Sequence, residues 1–161
     1  MVTAIKGNAT STFGGNVDVT GNVITDAPAF SAYQSSVQTL SSGTFTKIQF
    51  QSEEFDTNSN FDSTTNYRFT PTVAGYYQFN TAITVGASLT PMQGAFYKNG
   101  SIYKVIANTG ASVGAILGSS LIYCNGSTDY VEVYGFVTTG QALSTNGQTY
   151  VYFQGSLVRA V

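Results

Sequence analysis

The stretch FTPTVAGYYQFNTAITV, residues 69–85, sets Tyr77, Phe79, Ile83 and Val85 on one parity and Gln78, Asn80 and Thr84 on the other. That period of two is the mark of a β-strand with one buried face. Pro71 stands before the run, where a missing N–H costs no ladder bond, and Gly75 stands where the chain turns into the strand. A helix over these residues is excluded by the proline, the glycine and the β-branched and aromatic content.

The rest of the chain repeats this character. Its 161 residues are enough for one domain and a short appendage. Charged residues make up 9% against 14% aromatic, and the remaining polarity is mostly Ser, Thr, Asn, Gln and Gly. Strands are predicted at 28–33, 45–50, 67–70, 75–85, 93–98, 101–107, 112–124, 130–137 and 150–159, and no segment shows a helical period. Lys98-Asn99-Gly100 is read as a hairpin turn, and CNGSTD (124–129) and STNGQT (144–149) as two further turns. The Asn-x-Ser/Thr matches at Asn8 and Asn125 are read as turns as well, not as glycan acceptors.

Several strands are apolar on both parities. Val151, Phe153 and Leu157 oppose Tyr150, Tyr152 and Val158, while Val131 and Val133 oppose Tyr130, Tyr134 and Phe136. In 112–124, Val113, Ala115, Leu117 and Leu121 oppose Ile116 and Ile122. A two-layer sandwich needs one apolar face per sheet, so the second face implies burial against copies of the same chain. Tyr150, Tyr152, Ile116 and Ile122 are the expected contacts.

Residues 1–27 differ in character from residues 28–161. Gly7-Asn8, Gly15-Asn16 and Gly21-Asn22 each open a short run of small or β-branched residues, with too few large apolar side chains for a core. Such a segment is either a flexible linker or an attachment arm ordered by partner chains, and the tracts resemble the Gly-Asn repeats of viral fibre proteins, which implies the arm. The division expected is an arm at 1–27 and a folded domain at 28–161.

Chemistry is sparse. The absence of histidine excludes a Cys/His nucleophile pair and the usual zinc site, and the lone Cys124 excludes an internal disulfide. The six cations are scattered singly, and the net charge is -2, so nucleic acid is excluded as a partner. No stretch has the length and apolarity of a membrane span or secretory signal, so no membrane partner is expected. Glu53, Glu54, Asp56 and Asp62 gather in one decapeptide, and Asp56, Asn58, Asn60 and Asp62 alternate like the first half of a calcium loop. Phe61 and Tyr67 occupy the places of the loop's glycine and bidentate glutamate, so a solvated acidic loop is the expectation. No cofactor, metal or catalytic residue is expected, and the chain is read as non-enzymatic.

The order Phe50, Asp56, Phe61, Phe69, Gly75, Tyr77, Phe79, closing with YFQGSLV at 152–158, resembles the globular head of complement component 1q, a tumour-necrosis-factor-like jelly roll. The interval from Phe61 to Phe69 is one residue longer than in that family, and Thr81 replaces a preferred aromatic. The resemblance implies an all-β jelly-roll sandwich of about ten antiparallel strands, a homotrimer, termini together at one end and recognition by loops at the other. Combined with the arm, it implies a structural or host-binding protein of a bacteriophage virion: a capsid decoration protein, a head fibre or a small tail-fibre tip. Its partners would be other virion proteins through residues 1–27 and a host-surface glycan or protein. A secreted lectin-like or complement-like module is the alternative.

Overall fold

The structure, a computed structural model, describes residues 26–86, 89–144 and 147–161. The described strands are β1 (Ala29–Tyr33), β2 (Thr39–Leu40), β3 (Thr46–Lys47), β4 (Ser52–Asp56), β5 (Phe61–Asp62), β6 (Arg68–Phe69), β7 (Gly75–Thr84), β8 (Thr90–Lys98), β9 (Ser101–Val113), β10 (Ala115–Cys124), β11 (Val131–Val137), β12 (Gln141–Ala142) and β13 (Tyr152–Ala160). They form a jelly-roll sandwich of antiparallel sheets. One sheet has the order β10-β7-β13-β1-β4, and the other has the order β5-β6-β11-β8-β9 with β3 also on β11. A two-residue pairing of β2 with β12 forms a separate ribbon.

The opening stretch lies at the centre of the first sheet. Tyr77, Phe79 and Ile83 are fully buried, and β7 is hydrogen-bonded to β10 on one side and β13 on the other. Gly75 begins the strand because a side chain there would overlap the Arg159 carbonyl and Leu157. Thr81 is buried, and its hydroxyl donates to the Tyr152 carbonyl at 2.7 Å. A neighbouring backbone acceptor thus satisfies the polar group that stands where an aromatic was preferred.

The core between the sheets is aromatic. Phe153 lies 4.9 Å from Phe30, 5.7 Å from Phe50, 6.0 Å from Phe61, 5.5 Å from Phe79 and 6.0 Å from Phe96, centroid to centroid. Phe30 and Phe79 come from one layer and Phe61 and Phe96 from the other, with Phe50 between β3 and β4, so one ring ties the sandwich together. At the open edge β9 lies beside β10: Ile106 fits against Gly94 and Gly118, where any side chain would overlap it or its neighbours.

Three expectations are corrected here. The predicted strand 45–50 contracts to β3, while Ile48 and Phe50 continue into the core and β4 follows as a separate strand. The predicted strand 112–124 divides at Gly114 between β9 and β10. A helical turn, α1 (Gly147–Tyr150), precedes β13, so Tyr150 is on a helix and not on a strand. Four residues are too few to show a helical period in sequence. The turn at Asn99-Gly100 is as expected, with φ of 53° and 80°, the left-handed pair that a two-residue hairpin requires.

Candidate functional site

Antiparallel pairing decides which parity of each strand meets solvent. Ile116 pairs with Ile83 and Ile122 with Tyr77, so both isoleucines share the core face of β7. They are 3% and 1% exposed, which corrects their expected place in an interface. Leu117 and Leu121, paired with Ala82 and Gln78, take the outward face and are 65% and 51% exposed. Tyr152 is outward and half-buried, flanked by Tyr33 and Ala82, and Tyr150 is 47% exposed. Gly7, Asn8, Gly15, Asn16, Gly21 and Asn22 lie outside the described residues.

The outward face of the five-stranded sheet has a definite chemistry. Ser119, Asn80, Gln154 and Ser31 follow one another across β10, β7, β13 and β1. Leu117 and Tyr152 flank this row toward one end, and Leu121, Tyr123 and Tyr76 toward the other. Shallow depressions open on both sides of Asn80, one toward Phe55 and Ser156 and one toward Leu117 and Tyr152. No outward residue of β1, β7, β10 or of β13 as far as Ser156 is charged. The adjoining β9 exposes Ile102, Tyr103 and Val105. A solvated sheet face normally carries charge, so this one has the composition of a contact surface.

In the opposite sheet the aromatics of β8 and β11 pack within the chain. Tyr97 stacks on Tyr134 at 3.8 Å, Phe45 lies 5.4 Å from Phe136, and Lys47 pairs with the buried Glu132 at 2.6 Å. Burial pushes the Tyr134 hydroxyl up to about 12.

The acids serve as local clamps. Asp56 accepts from the Phe61 N–H at 2.6 Å and the Asn58 N–H at 3.2 Å. Asp62 accepts from the N–H groups of Thr65, Thr64 and Asn66, which hold its carboxyl well below the ordinary range against the opposing effect of burial. Oxygens occupied in this way fold a loop. Among the described residues no group of three or more acids, cysteines or histidines could hold a metal ion. Asn125 accepts from the N–H groups of Ser127, Thr128 and Asp129, which makes CNGSTD the turn that its sequence suggested.

The two ends of the sandwich differ. Leu157 donates to the Pro28 carbonyl at 2.9 Å and Val161 to the Ala74 carbonyl at 3.2 Å, so the jelly roll begins and ends at one pole. Lys98 pairs with Asp129 at 2.8 Å at this end. Burial alone would raise the Asp129 carboxyl, but bonds from Asn99, Lys98 and the Asn125 N–H outweigh it and hold the group low. At the other end the β2–β12 ribbon is tied to the sandwich by Ser144 donating to Thr84 and Gly86 donating to Ala142, both through backbone groups.

Neither a family model nor a curated protein matches the chain. Solved structures do. The globular domain of zebrafish complement 1qA is 17% identical with a TM-score of 0.57, covering 84% of this chain and 99% of that one. Eiger TNF from S. frugiperda is 8% identical with a TM-score of 0.58, covering 84% and 93%. Murine APRIL at pH 8.5 is 9% identical with a TM-score of 0.61, covering 82% and 99%. The fold is therefore the complement-1q and tumour-necrosis-factor type of jelly roll.

Proposed function

We propose that the protein is a non-enzymatic homotrimer, a structural and recognition module of a bacteriophage particle, attached through residues 1–27 with its jelly roll facing outward. The observation that carries this reading is the uncharged outward face of β10, β7 and β13 as far as Ser156, with its apolar β9–β10 border, on a domain whose first and last strands meet at one pole; the exposed acids of this sheet, Glu53 and Glu54, lie on its edge strand β4. Such a face excludes water best against a neutral partner, and another copy of the chain supplies one. Burying Leu117 and Leu121 there stabilises the assembly by about 1–2 kcal/mol for each side chain. The number three is what the resemblance to complement-like jelly rolls implies. The fibre-like Gly-Asn tracts support a virion as the site of assembly, and three arms leaving one end would bind a larger body by avidity. A non-enzymatic role is supported by the occupation of the buried acids in ion pairs, Asp129 with Lys98 and Glu132 with Lys47.

The test combines light scattering with an incorporation assay. The full chain should have about three times its 17.0 kDa mass in solution. A fragment of residues 28–161 should remain trimeric yet fail to join particles that lack the protein. A monomer at micromolar concentration refutes the trimer, and equal incorporation of both forms refutes the arm as anchor.

A further inference from the structure

We infer that the outward row Ser119, Asn80 and Gln154, on β10, β7 and β13, locks the register of the contact between copies of the chain: its hydroxyl and carboxamides hydrogen-bond to the same row of neighbouring copies and fix both their alignment and their number. This rests on the self-association proposed above and names the residues that make it specific. The row crosses the sheet at one level. Asn80 stands opposite Ser119 on one side and Gln154 on the other, with Leu117 and Tyr152 bordering the row in one direction and Leu121, Tyr123 and Tyr76 in the other. Among the described residues the side chains of Ser119, Asn80 and Gln154 have no hydrogen-bond partner, whereas their neighbours Ser31, Gln78 and Thr81 are each bonded within the chain. Both carboxamides are half-buried, and the depressions on the two sides of Asn80 leave them open to an approaching surface. Polar groups buried in a contact cost free energy unless the facing surface supplies their partners.

The residue types point to a second copy as the partner. A hydroxyl or a carboxamide both donates and accepts, so it can bond to an identical group, which two carboxylates or two ammonium ions cannot do. Every copy has its first and last strands at one pole, and a cyclic assembly sets each residue level with the same residue of the next copy. The rows of all copies then meet at one height, between apolar borders that exclude water. A slip along the strands would set the row against Leu117, Leu121 or Tyr152 and leave carboxamides without partners. One polar layer within an apolar contact fixes register and copy number in coiled coils at a cost in stability, and the same physics holds on a sheet face. The row ends at Ser31, whose hydroxyl donates to Glu54 at 2.6 Å, so charge begins only at the edge strand β4.

The test compares the full-length wild type with Asn80→Asp, Gln154→Glu and the pair Asn80→Leu with Gln154→Leu, each shown to be folded by circular dichroism, using light scattering and native mass spectrometry. Asn80→Asp sets like charges level with one another, so the assembly should weaken by about a hundredfold or more and recover in part as salt is raised. If that variant does not fold, Gln154→Glu gives the same reading. Gln93→Glu, on the outer face of the second sheet beside Phe136, should leave the assembly unchanged. The leucine pair should still associate, but into more than one assembly size where the wild type gives one. A wild-type monomer overturns the inference together with the self-association on which it rests. A wild-type trimer that Asn80→Asp and Gln154→Glu leave intact, or a leucine pair with the single wild-type size, overturns the role of the row alone.

Discussion

Phe153→Ala removes the ring on which both layers converge. Its neighbours are Phe30 on β1, Phe50 ahead of β4, Phe61 on β5, Phe79 on β7 and Phe96 on β8, at centroid separations of 4.9 to 6.0 Å. A buried Phe→Ala change costs about 3–5 kcal/mol, and the outcome within that range depends on how far the site collapses. Here four of the five lining rings are fixed on different strands of two sheets, so the cavity should persist and the loss should be about 4–5 kcal/mol. Against a total stability of about 5–15 kcal/mol, that is a third or more of what holds the domain folded. Urea unfolding at one fixed protein concentration measures it: with a slope of about 2 kcal/mol/M, the midpoint should fall by about 2 M. Val158→Ala, at an exposed position on the same strand, should change stability by less than about 0.5 kcal/mol. A loss below about 2 kcal/mol for Phe153→Ala would show that the core relaxes around the hole, refuting the view that this ring ties the layers together.

Leu117→Glu with Leu121→Glu should leave the fold intact by circular dichroism and shift the mass by light scattering to the monomer, since both side chains point away from the core. Ile116→Ala should instead cost about 2–5 kcal/mol of folding stability, because that side chain is buried within one chain. Asp62 and Asp129 are held below their ordinary range in the folded protein, so the stability they contribute is present above about pH 4 and is lost as pH falls through their folded values. Asp62→Asn should flatten part of that acid limb in pH-dependent thermal unfolding, and an unchanged limb would count against the loop clamp. Burial raises the Cys124 thiol to about 11, so alkylation of the native protein at neutral pH should be slow and should become fast on unfolding; equal rates would place the thiol at the surface.

Local chemistry was sufficient for much of this protein. Alternation over 75–85 and the Asn99-Gly100 turn identified an all-β chain, because each depends on neighbours a few residues away, while the jelly roll was implied by the resemblance that the ordered aromatics from Phe50 to Phe79 carry. The clamp at Asn125 was readable for the same reason, since its donors lie two to four residues on. Which side of 115–124 faces the core was not readable: Ile116 and Ile122 are as apolar as Leu117 and Leu121, and period two leaves the choice open. The register against β7 decided it, by setting Ile122 beside Tyr77 and Leu121 beside Gln78. The short strands β2, β5 and β12 and the turn of helix at Gly147–Tyr150 are likewise fixed by their tertiary surroundings, which two or four residues cannot encode alone.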